Sequence, residues 1–459
     1  MLDIRALIKS RSHETYDLHK RYLNHQFVRV LEVIGFNRNY VSGKGAYLTT
    51  DKGEEVLDFL SGFGVFAVGR NHPVVRQVLH DMLDSDLPNL IKMDVGVIAG
   101  LLAEALAKIA PEGLDAVFFD NSGAEGVDGA LKFARAATGR QKFVYCKRGF
   151  HGQLIGTLGV NGGAEYRERY EPFIPGCVEI PFNDINALEA ALAGRDVAGV
   201  IIEPIQGKGV MVPDDDYLPA VRHLCDATGT LFIADEVQTG LGRTGKMFAV
   251  EHWNVIPDIL IISKALSGGF IPVGAIITRR EIYNKVFDSM DHCWAHSTTF
   301  GQNDMAMAAG LAALHVMAEE KLVENAASTG EYLLAGLRKL TEKYEMLHAV
   351  RGKGLMIGLQ FGAPKSLLLK AQWHAVHKMN EDLFGQMITM PLLDKHHILT
   401  QVAGHHLDTV KILPPLIIGK KEADKFISAV DEVLADVHKL TGSAWSTVAK
   451  LAVRTASSA

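Results

Sequence analysis

The sequence predicts an α/β protein with a large, mostly parallel sheet and a smaller α+β lobe. Between about residues 93 and 320, short apolar runs typical of strands alternate with stretches typical of helices. Buried parallel strands joined by crossover helices produce this rhythm. After residue 330, amphipathic helices are followed by the apolar runs RGKGLMIGLQF and VKILPPLII. We therefore expect an N-terminal segment (1–75) that joins the small lobe, a large domain (76–330) and a small C-terminal domain (331–459).

Composition excludes several classes of function. The 459-residue chain has a formal net charge of −6 and no dense Lys/Arg block, so nucleic acid is not expected as a partner. No apolar stretch is long enough to span a bilayer, and the first twenty residues lack the apolar centre of a secretory signal. The four cysteines have no CxxC spacing, so we expect neither a metal site nor disulfides. These features favour a cytoplasmic protein.

The N-terminal part predicts one or two charged amphipathic helices over 14–35, then short strands separated by glycine turns over 43–73. At the other end, residues after about 440 are small and polar, and we expect them to be poorly ordered. In the centre, helices are expected over 185–194 and 217–228. Central strands are predicted at 117–120, 142–146, 197–204, 231–237, 259–264 and 273–279.

Chemistry in α/β sheets collects at the carboxyl ends of strands. The strand at 117–120 runs into Asn121, Ser122, Gly123 and Ala124, where a helix begins. Small residues at a helix start expose backbone N–H groups at the positive end of the helix dipole, which suits a phosphate. An ordinary N-capped helix is the alternative interpretation.

Two further strands end in charged residues. The run LFIADEV ends at Asp235 and Glu236, which face opposite sides of the sheet, so one of them can point at a ligand. The run ILIISK ends at Lys264, and a desolvated lysine becomes a Schiff-base nucleophile. A structural ion pair and a lysine that reaches the surface are the alternatives. With the phosphate-type helix start, these residues match the three points that fix pyridoxal 5'-phosphate.

Longer stretches carry a family resemblance. The matching segments are NSGAEGVDGALKFARAATGR, FHG, VIIEPIQGKG, LFIADEVQTGLGRTGKMFAVEHWNVIPDILIISKALSGGFIPVGA, HSTTFGQN and VRGKGLM. From about residue 43 to 416 the chain resembles the class III (ornithine, acetylornithine and GABA type) aminotransferases. The resemblance implies the fold type I of pyridoxal-phosphate enzymes, which is aspartate aminotransferase-like. It also implies amino-group transfer between an amine or amino acid and an aldehyde or 2-oxo acid, in a homodimer with shared active sites.

The resemblance also implies residue roles. Lys264 forms the imine with the cofactor and shuttles protons, and Asp235 pairs with the pyridinium nitrogen. Val237 and Phe150 pack on the two ring faces, and Gln238 reaches the ring hydroxyl. The remaining implied cofactor contacts are Ser122, Gly123 and Ala124 at the phosphate, His151 and Glu203 nearby, and Thr298 and Thr299 at the phosphate from a second subunit.

The chain departs from the common members at two charged positions. It has Lys208 in QGKG where they have glutamate, and Lys411 before the PPL motif where they have arginine. In those relatives the arginine grips an α-carboxylate and the glutamate masks it. Two lysines cannot form that pair, and lysine lacks the bidentate fork of arginine. Either both lysines act in substrate binding, or they merely cover the surface near the entrance.

A second departure is the long apolar segment 366–406. Members with QGKG and KxLPPL motifs, including a hopanoid-type branch, act on long or bulky apolar aldehydes and amines. Together with Phe63, the segment could line an apolar channel, and ordinary core or dimer packing is the alternative. We hypothesise a terminal (omega) amine or aldehyde substrate with a hydrophobic tail.

Two competing functions remain open. A pyridoxal-phosphate aminomutase, racemase or decarboxylase of the same fold would share every cofactor contact. A nicotinamide-binding enzyme is a distant alternative, because GLGRTG (240–245) matches GxGxxG. That fingerprint needs a strand directly before it and a helix that opens at it.

Overall fold

The N-terminal part consists of helices followed by a small sheet. The structure, a computed structural model, describes residues 2–439. Helices in the predicted stretch 14–35 are confirmed. The strands predicted to continue to residue 73 are wrong beyond residue 58, because Gly62 and Phe63 adopt φ of 63° and turn the chain. The elements are α1 (Ile4–Arg11), α2 (Thr15–Tyr22), α3 (His25–Ile34), β1 (Tyr40–Lys44), β2 (Tyr47–Thr50) and β3 (Glu55–Asp58).

The central part contains all six predicted strands and both predicted helices, with one strand more. Strand β6 was not predicted, since its middle residues are exposed at the sheet edge and give no apolar run. The elements are α4 (Ser61–Gly64), α5 (Pro73–Asp84), α6 (Val97–Ile109), β4 (Ala116–Asp120), α7 (Gly123–Thr138), β5 (Lys142–Cys146), α8 (Ile155–Leu158), α9 (Ala164–Arg167), β6 (Cys177–Ile180), α10 (Ile185–Leu192), β7 (Val197–Ile202), α11 (Tyr217–Thr228), β8 (Leu231–Asp235), β9 (Ile259–Ile262), β10 (Gly274–Thr278) and α12 (Arg280–Val286).

The large sheet has the strand order β4-β10-β9-β8-β7-β5-β6. All neighbouring pairs are parallel apart from those of β10, which runs antiparallel to β4 and β9. The connection from β9 to β10 (263–273) contains one 3₁₀ turn and no crossover α-helix, and the chain returns in the opposite direction. Strand β7 is buried at every position, as expected for a strand covered on both faces.

The C-terminal part forms a second, antiparallel sheet. Its order is β11-β12-β15-β14, and helix α14 packs on β11 and on α17. The elements are α13 (Asp304–Glu319), α14 (Leu322–Lys343), β11 (Leu347–Lys353), β12 (Met356–Phe361), α15 (Leu367–Met379), α16 (Leu383–Asp394), β13 (Ile398–Leu399), β14 (Gln401–Val402), β15 (Thr409–Ile412) and α17 (Lys420–Val437).

A strand from the C-terminal part pairs with the N-terminal sheet. Strand β13 adds to the N-terminal sheet in parallel with β3, with Ile398 opposite Leu57. The division of the chain at residues 75 and 330 stays a prediction. The poorly ordered tail expected after residue 440 lies outside the described residues. Between residues 2 and 439, no helix combines the length and apolar character needed to cross a bilayer.

Candidate active site

The carboxyl edge of the large sheet gathers the predicted chemical groups. Asp235 is the last residue of β8, Glu203 follows β7, and Lys264 follows β9 by two residues. Strand β10 pairs Gly274 with Asp120 and Ala275 with Ile262, so the ends of β4 and β9 lie level. The start of helix α7 therefore lies beside these side chains.

A cavity of about 1280 Å³ opens over this edge. Every predicted cofactor or substrate residue apart from Thr298 and Thr299 lines it. These residues are Phe63, Ser122, Gly123, Ala124, Phe150, His151, Glu203, Lys208, Asp235, Val237, Gln238, Lys264 and Lys411.

Lys264 does not end a strand as predicted but begins a 3₁₀ turn, Lys264–Ser267. Its backbone has φ of 35°, an uncommon conformation for a residue with a side chain. Backbone strain of this kind concentrates at functional sites. Burial lowers the pKa of the Lys264 amine, and the negative charges of Asp235 and Glu203 oppose that shift only in part. A larger fraction of the amine is therefore neutral and nucleophilic near pH 7.

Asp235 is 4% exposed and held by two contacts. Its Oδ2 lies 2.7 Å from His151 Nδ1, and its Oδ1 accepts a 3.1 Å hydrogen bond from the Val237 N–H. The His151 Nε2 is buried without a hydrogen-bond partner among the described residues. Glu236 is also buried, but it faces away from the cavity and accepts hydrogen bonds from Thr239 and Val250. The expected division between the two neighbouring carboxylates is confirmed.

Glu203 fixes the backbone around the cavity. Its two carboxylate oxygens accept 2.8 Å hydrogen bonds from the N–H groups of Phe150 and Gly207. Burial raises the pKa of Glu203. The residue thus ties the Phe150 loop to the loop that carries Lys208.

Helix α7 begins with the N-cap that one interpretation expected, and its first residues also line the cavity. The Ser122 Oγ caps the helix by accepting a 3.3 Å hydrogen bond from the Glu125 N–H, which leaves its own hydroxyl proton available to donate. A Cβ added at Gly123 would lie 2.8 Å from Val237, so only glycine permits this close approach. Asn121 donates a 2.7 Å hydrogen bond to Thr298 Oγ1 of the same chain. Thr299 is exposed and lies outside the cavity.

Lys208 and Lys411 are not surface residues, so the interpretation that they cover the entrance is wrong. They are 9% and 6% exposed. Lys208 forms an ion pair with Glu165 and lies 4.4 Å from the centre of the Tyr166 ring. Lys411 donates hydrogen bonds to Gly207 O at 2.9 Å and to Gln238 Oε1 at 3.3 Å. Both ammonium groups belong to the interior of the site.

Gln238 lies between Phe63 and Lys411. Its amide nitrogen donates a 3.2 Å hydrogen bond to the Phe63 carbonyl, while its oxygen accepts from Lys411. Phe63 is 54% exposed and lines the cavity. The side chain of Gln238 therefore connects the predicted substrate residues to the carboxyl edge of β8.

Several lining residues were not predicted. Val30, Val33 and Ile34 of α3 form an apolar surface on the cavity, and their i, i+3, i+4 spacing was a usable signal. Tyr166, on the four-residue helix α9, lies in a polar stretch that gave no signal. The segment 366–406 contributes Leu383 and Val402 to the cavity and also buries residues of α15 in the core. Core packing of the segment is therefore confirmed, whereas an apolar channel stays a prediction, because polar residues such as Gln386 and Gln401 also line the cavity.

The arrangement fits pyridoxal phosphate. Lys264 carries a buried amine with a lowered pKa, and Asp235 is a buried carboxylate whose partner His151 has one ring nitrogen without a hydrogen-bond partner among residues 2–439. The glycine-opened start of α7 supplies free N–H groups for a phosphate. By contrast, GLGRTG (240–245) lies in turns followed by a 3₁₀ helix, so the nicotinamide interpretation is wrong. Fold and site together define a pyridoxal-phosphate protein of fold type I.

Comparison with known proteins gives the family. The chain belongs to the aminotransferase class-III family, whose model matches residues 32–434. The chain is 35% identical over 449 residues to aminotransferase PigE of Serratia sp. (strain ATCC 39006), covering 91% of this chain. It spans about half of that relative's length (52%).

Two solved structures illustrate the likeness. The ornithine aminotransferase of Toxoplasma gondii matches with a TM-score of 0.82 at 27% identity, covering 95% of this chain and 98% of that one. An amine transaminase from an uncultivated Pseudomonas species, in its PLP-bound form, matches with a TM-score of 0.77 at 31% identity. That match covers 86% of this chain and 94% of the other.

Proposed function

We propose that this chain is an aminotransferase that moves an amino group between a terminal amine with an apolar tail and an aldehyde or 2-oxo acid. The observation that carries the proposal is Lys264, with its lowered pKa, in one cavity with buried Asp235 and an apolar surface from α3. Family membership and the amine transaminase likeness support it. A mutase, racemase or decarboxylase would use the same cofactor contacts, so the preference for amino transfer rests on the family and the transaminase likeness.

Pyridoxal phosphate, when bound, withdraws electrons from the substrate carbon that loses a proton. Lys264 Nζ is the proposed nucleophile that would hold the cofactor covalently and would carry the proton between substrate and cofactor. Positioned proton transfer of this kind contributes roughly 10²–10⁴ in rate. Asp235 would stabilise a protonated ring nitrogen of the cofactor, and His151 fixes the orientation of the Asp235 carboxylate.

The remaining contacts position the cofactor. Ser122, Gly123 and Ala124 would bind the phosphate at the start of α7. Phe150 and Val237 would hold the two faces of the ring, with Glu203 fixing the Phe150 backbone. We assign Gln238 to the ring hydroxyl.

We further propose a homodimer in the cytoplasm. Thr299 is exposed and lies outside the cavity of its own chain, which supports a role at the phosphate of a second subunit. We propose the same role for Thr298, whose hydroxyl accepts a hydrogen bond from Asn121 of its own chain. Large apolar side chains such as Met93 (91% exposed) and Trp294 (57%) support an interface. All four cysteines are free thiols, which suits a reducing compartment.

The substrate part of the proposal is tested with single amines and no acceptor. Octylamine, putrescine, ornithine and glutamate are each added to the purified holoprotein, and the cofactor absorbance is followed. We expect conversion to the pyridoxamine form, fastest with octylamine. Equal or faster conversion by ornithine would reject the apolar donor, and an unconverted spectrum with every amine would reject amino transfer itself.

A further inference from the structure

We infer that Asp120 is a positioning residue of the phosphate site, that it works with its carboxyl group uncharged, and that its ionisation at alkaline pH weakens cofactor binding. The inference rests on the proposed function, in which the cofactor phosphate binds at the start of α7. Asp120 itself does not line the cavity, so it acts through Ser122, which does.

Asp120 is the last residue of β4 and shapes the turn into α7. It is 2% exposed, and its Oδ1 accepts a 3.2 Å hydrogen bond from the Ser122 N–H. A side-chain oxygen that accepts from the backbone two residues further on stabilises a turn at that point. Ser122 is the N-cap residue of α7 and a proposed phosphate contact, so Asp120 sets the geometry of the phosphate site.

The surroundings of the Asp120 carboxyl group are closed and apolar. Its Oδ2 is buried without a hydrogen-bond partner within residues 2–439. A Cβ added at Gly126 of α7 would lie 2.9 Å from this oxygen and 2.8 Å from Ile261 of β9. On the side of β10, a Cβ added at Gly274 would overlap Oδ1. An ionised carboxylate is strongly disfavoured in such a place.

In the part of the chain that the structure describes, no cation offsets a negative charge on Asp120. The only ionisable group that acts on it there is Glu125, which is itself negative and accepts two 2.9 Å hydrogen bonds from Asn121. His296 packs on α7 at Gly129 and interacts with Glu125, not with Asp120. The neighbouring charge therefore adds to the cost of ionising Asp120.

These contacts fix the sign of the pH dependence. Burial, followed by the charge of Glu125, raises the pKa of Asp120 well above its ordinary value, and the hydrogen bond from the Ser122 N–H opposes this only in part. Once ionised, Asp120 would place a negative charge beside a phosphate group that carries about −1.5 to −2 at pH 7. Bound phosphate thus favours the neutral carboxyl group, and cofactor affinity falls as the pH rises through this pKa.

The test measures the dissociation constant of pyridoxal 5'-phosphate from the holoprotein between about pH 6 and about pH 10. The holoprotein is diluted at each pH, and the released cofactor is separated by ultrafiltration and assayed. Asp120→Asn keeps the shape of the side chain but cannot ionise. Its dissociation constant should lie within about threefold of the wild-type value at the acidic end, and should be about tenfold or more below it at the alkaline end. Titration of the cofactor itself affects both proteins equally, so their ratio isolates Asp120.

Two further variants make the result specific. Asp120→Thr guards against a folding defect in Asp120→Asn, because its hydroxyl can accept from the Ser122 N–H and does not ionise; it should give the same ratio at each pH. Asp128→Asn, at a half-buried carboxylate on the same helix, is the matched control and should follow wild type throughout.

Two outcomes would overturn the inference. A ratio of dissociation constants that stays constant with pH would assign Asp120 a merely structural role. Weaker binding in both neutral variants at the acidic end would show that the charged form holds the cofactor. Cofactor release needs no turnover, so the expected pH dependence without amino transfer would reject the proposed function alone. Normal turnover with a constant ratio would reject this inference alone.

Discussion

Three lysines line one cavity, and they differ in their burial and in the charges that surround them. Lys264 lies on a strained turn with its pKa lowered by burial. Burial and the positive charges of Lys264 and Lys208 lower the pKa of Lys411 to about 8, although Glu203 opposes this. Lys411 is therefore mostly cationic at pH 7 and loses its charge as the pH rises through 8. Lys208 is already paired with Glu165.

Removing the charge of Asp235 tests its assigned role. We expect Asp235→Asn to retain the fold, since the amide is nearly isosteric, and to lower the rate of amine-driven cofactor conversion roughly 10²-fold, as for loss of one preorganised electrostatic contact. Stopped-flow absorbance measures this rate. Asp382→Asn, at a partly exposed carboxylate that lines the same cavity, is the matched control. An unchanged rate in Asp235→Asn would show that another group protonates the ring.

Sequence reasoning found the residues that interrupt apolar runs. Asp235 and Lys264 were predictable because a charged residue directly after a buried strand is almost never fully buried without a partner. Glu165 was not, since it lies in a polar stretch and pairs with Lys208 only through folding, 43 positions away. Interactions between distant loops leave no local pattern.

At the scale of elements, strand positions were predictable but direction was not. The apolar runs marked β4, β5 and β7 to β10, whereas the antiparallel direction of β10 depends on the connection from β9. Helix α3 was predicted as a charged amphipathic helix, yet the target of its apolar face was visible only in the fold.

Helix α3 should determine the preference for long amines. Val30→Ser removes apolar surface from the cavity, at about 0.8 kcal/mol per buried CH₂. We expect the rate ratio of octylamine to butylamine to fall about threefold or more, since Val30 is half exposed. Val178→Ser on the edge strand β6 is the control and should keep the ratio. A ratio unaffected by Val30→Ser would place the tail elsewhere.

At the scale of the whole molecule, exposed apolar side chains predict association. Light scattering should give twice the chain mass of 50.1 kDa. We expect Trp294→Glu to shift the protein toward the single-chain mass, because a buried charge at an interface is costly. Val178→Glu, at the sheet edge, should remain dimeric. A monomeric wild-type protein would reject the dimer and, with it, the role of Thr299 in a second subunit.

The central claim is that Lys264, among three lysines in the cavity, holds the cofactor. Borohydride reduction of the holoprotein fixes the cofactor to its lysine, and peptide mass spectrometry then locates it. We predict the label on the peptide that contains Lys264, and its absence from the peptides that contain Lys208 and Lys411. A label on Lys411 or Lys208, or no covalent label at all, would contradict the account.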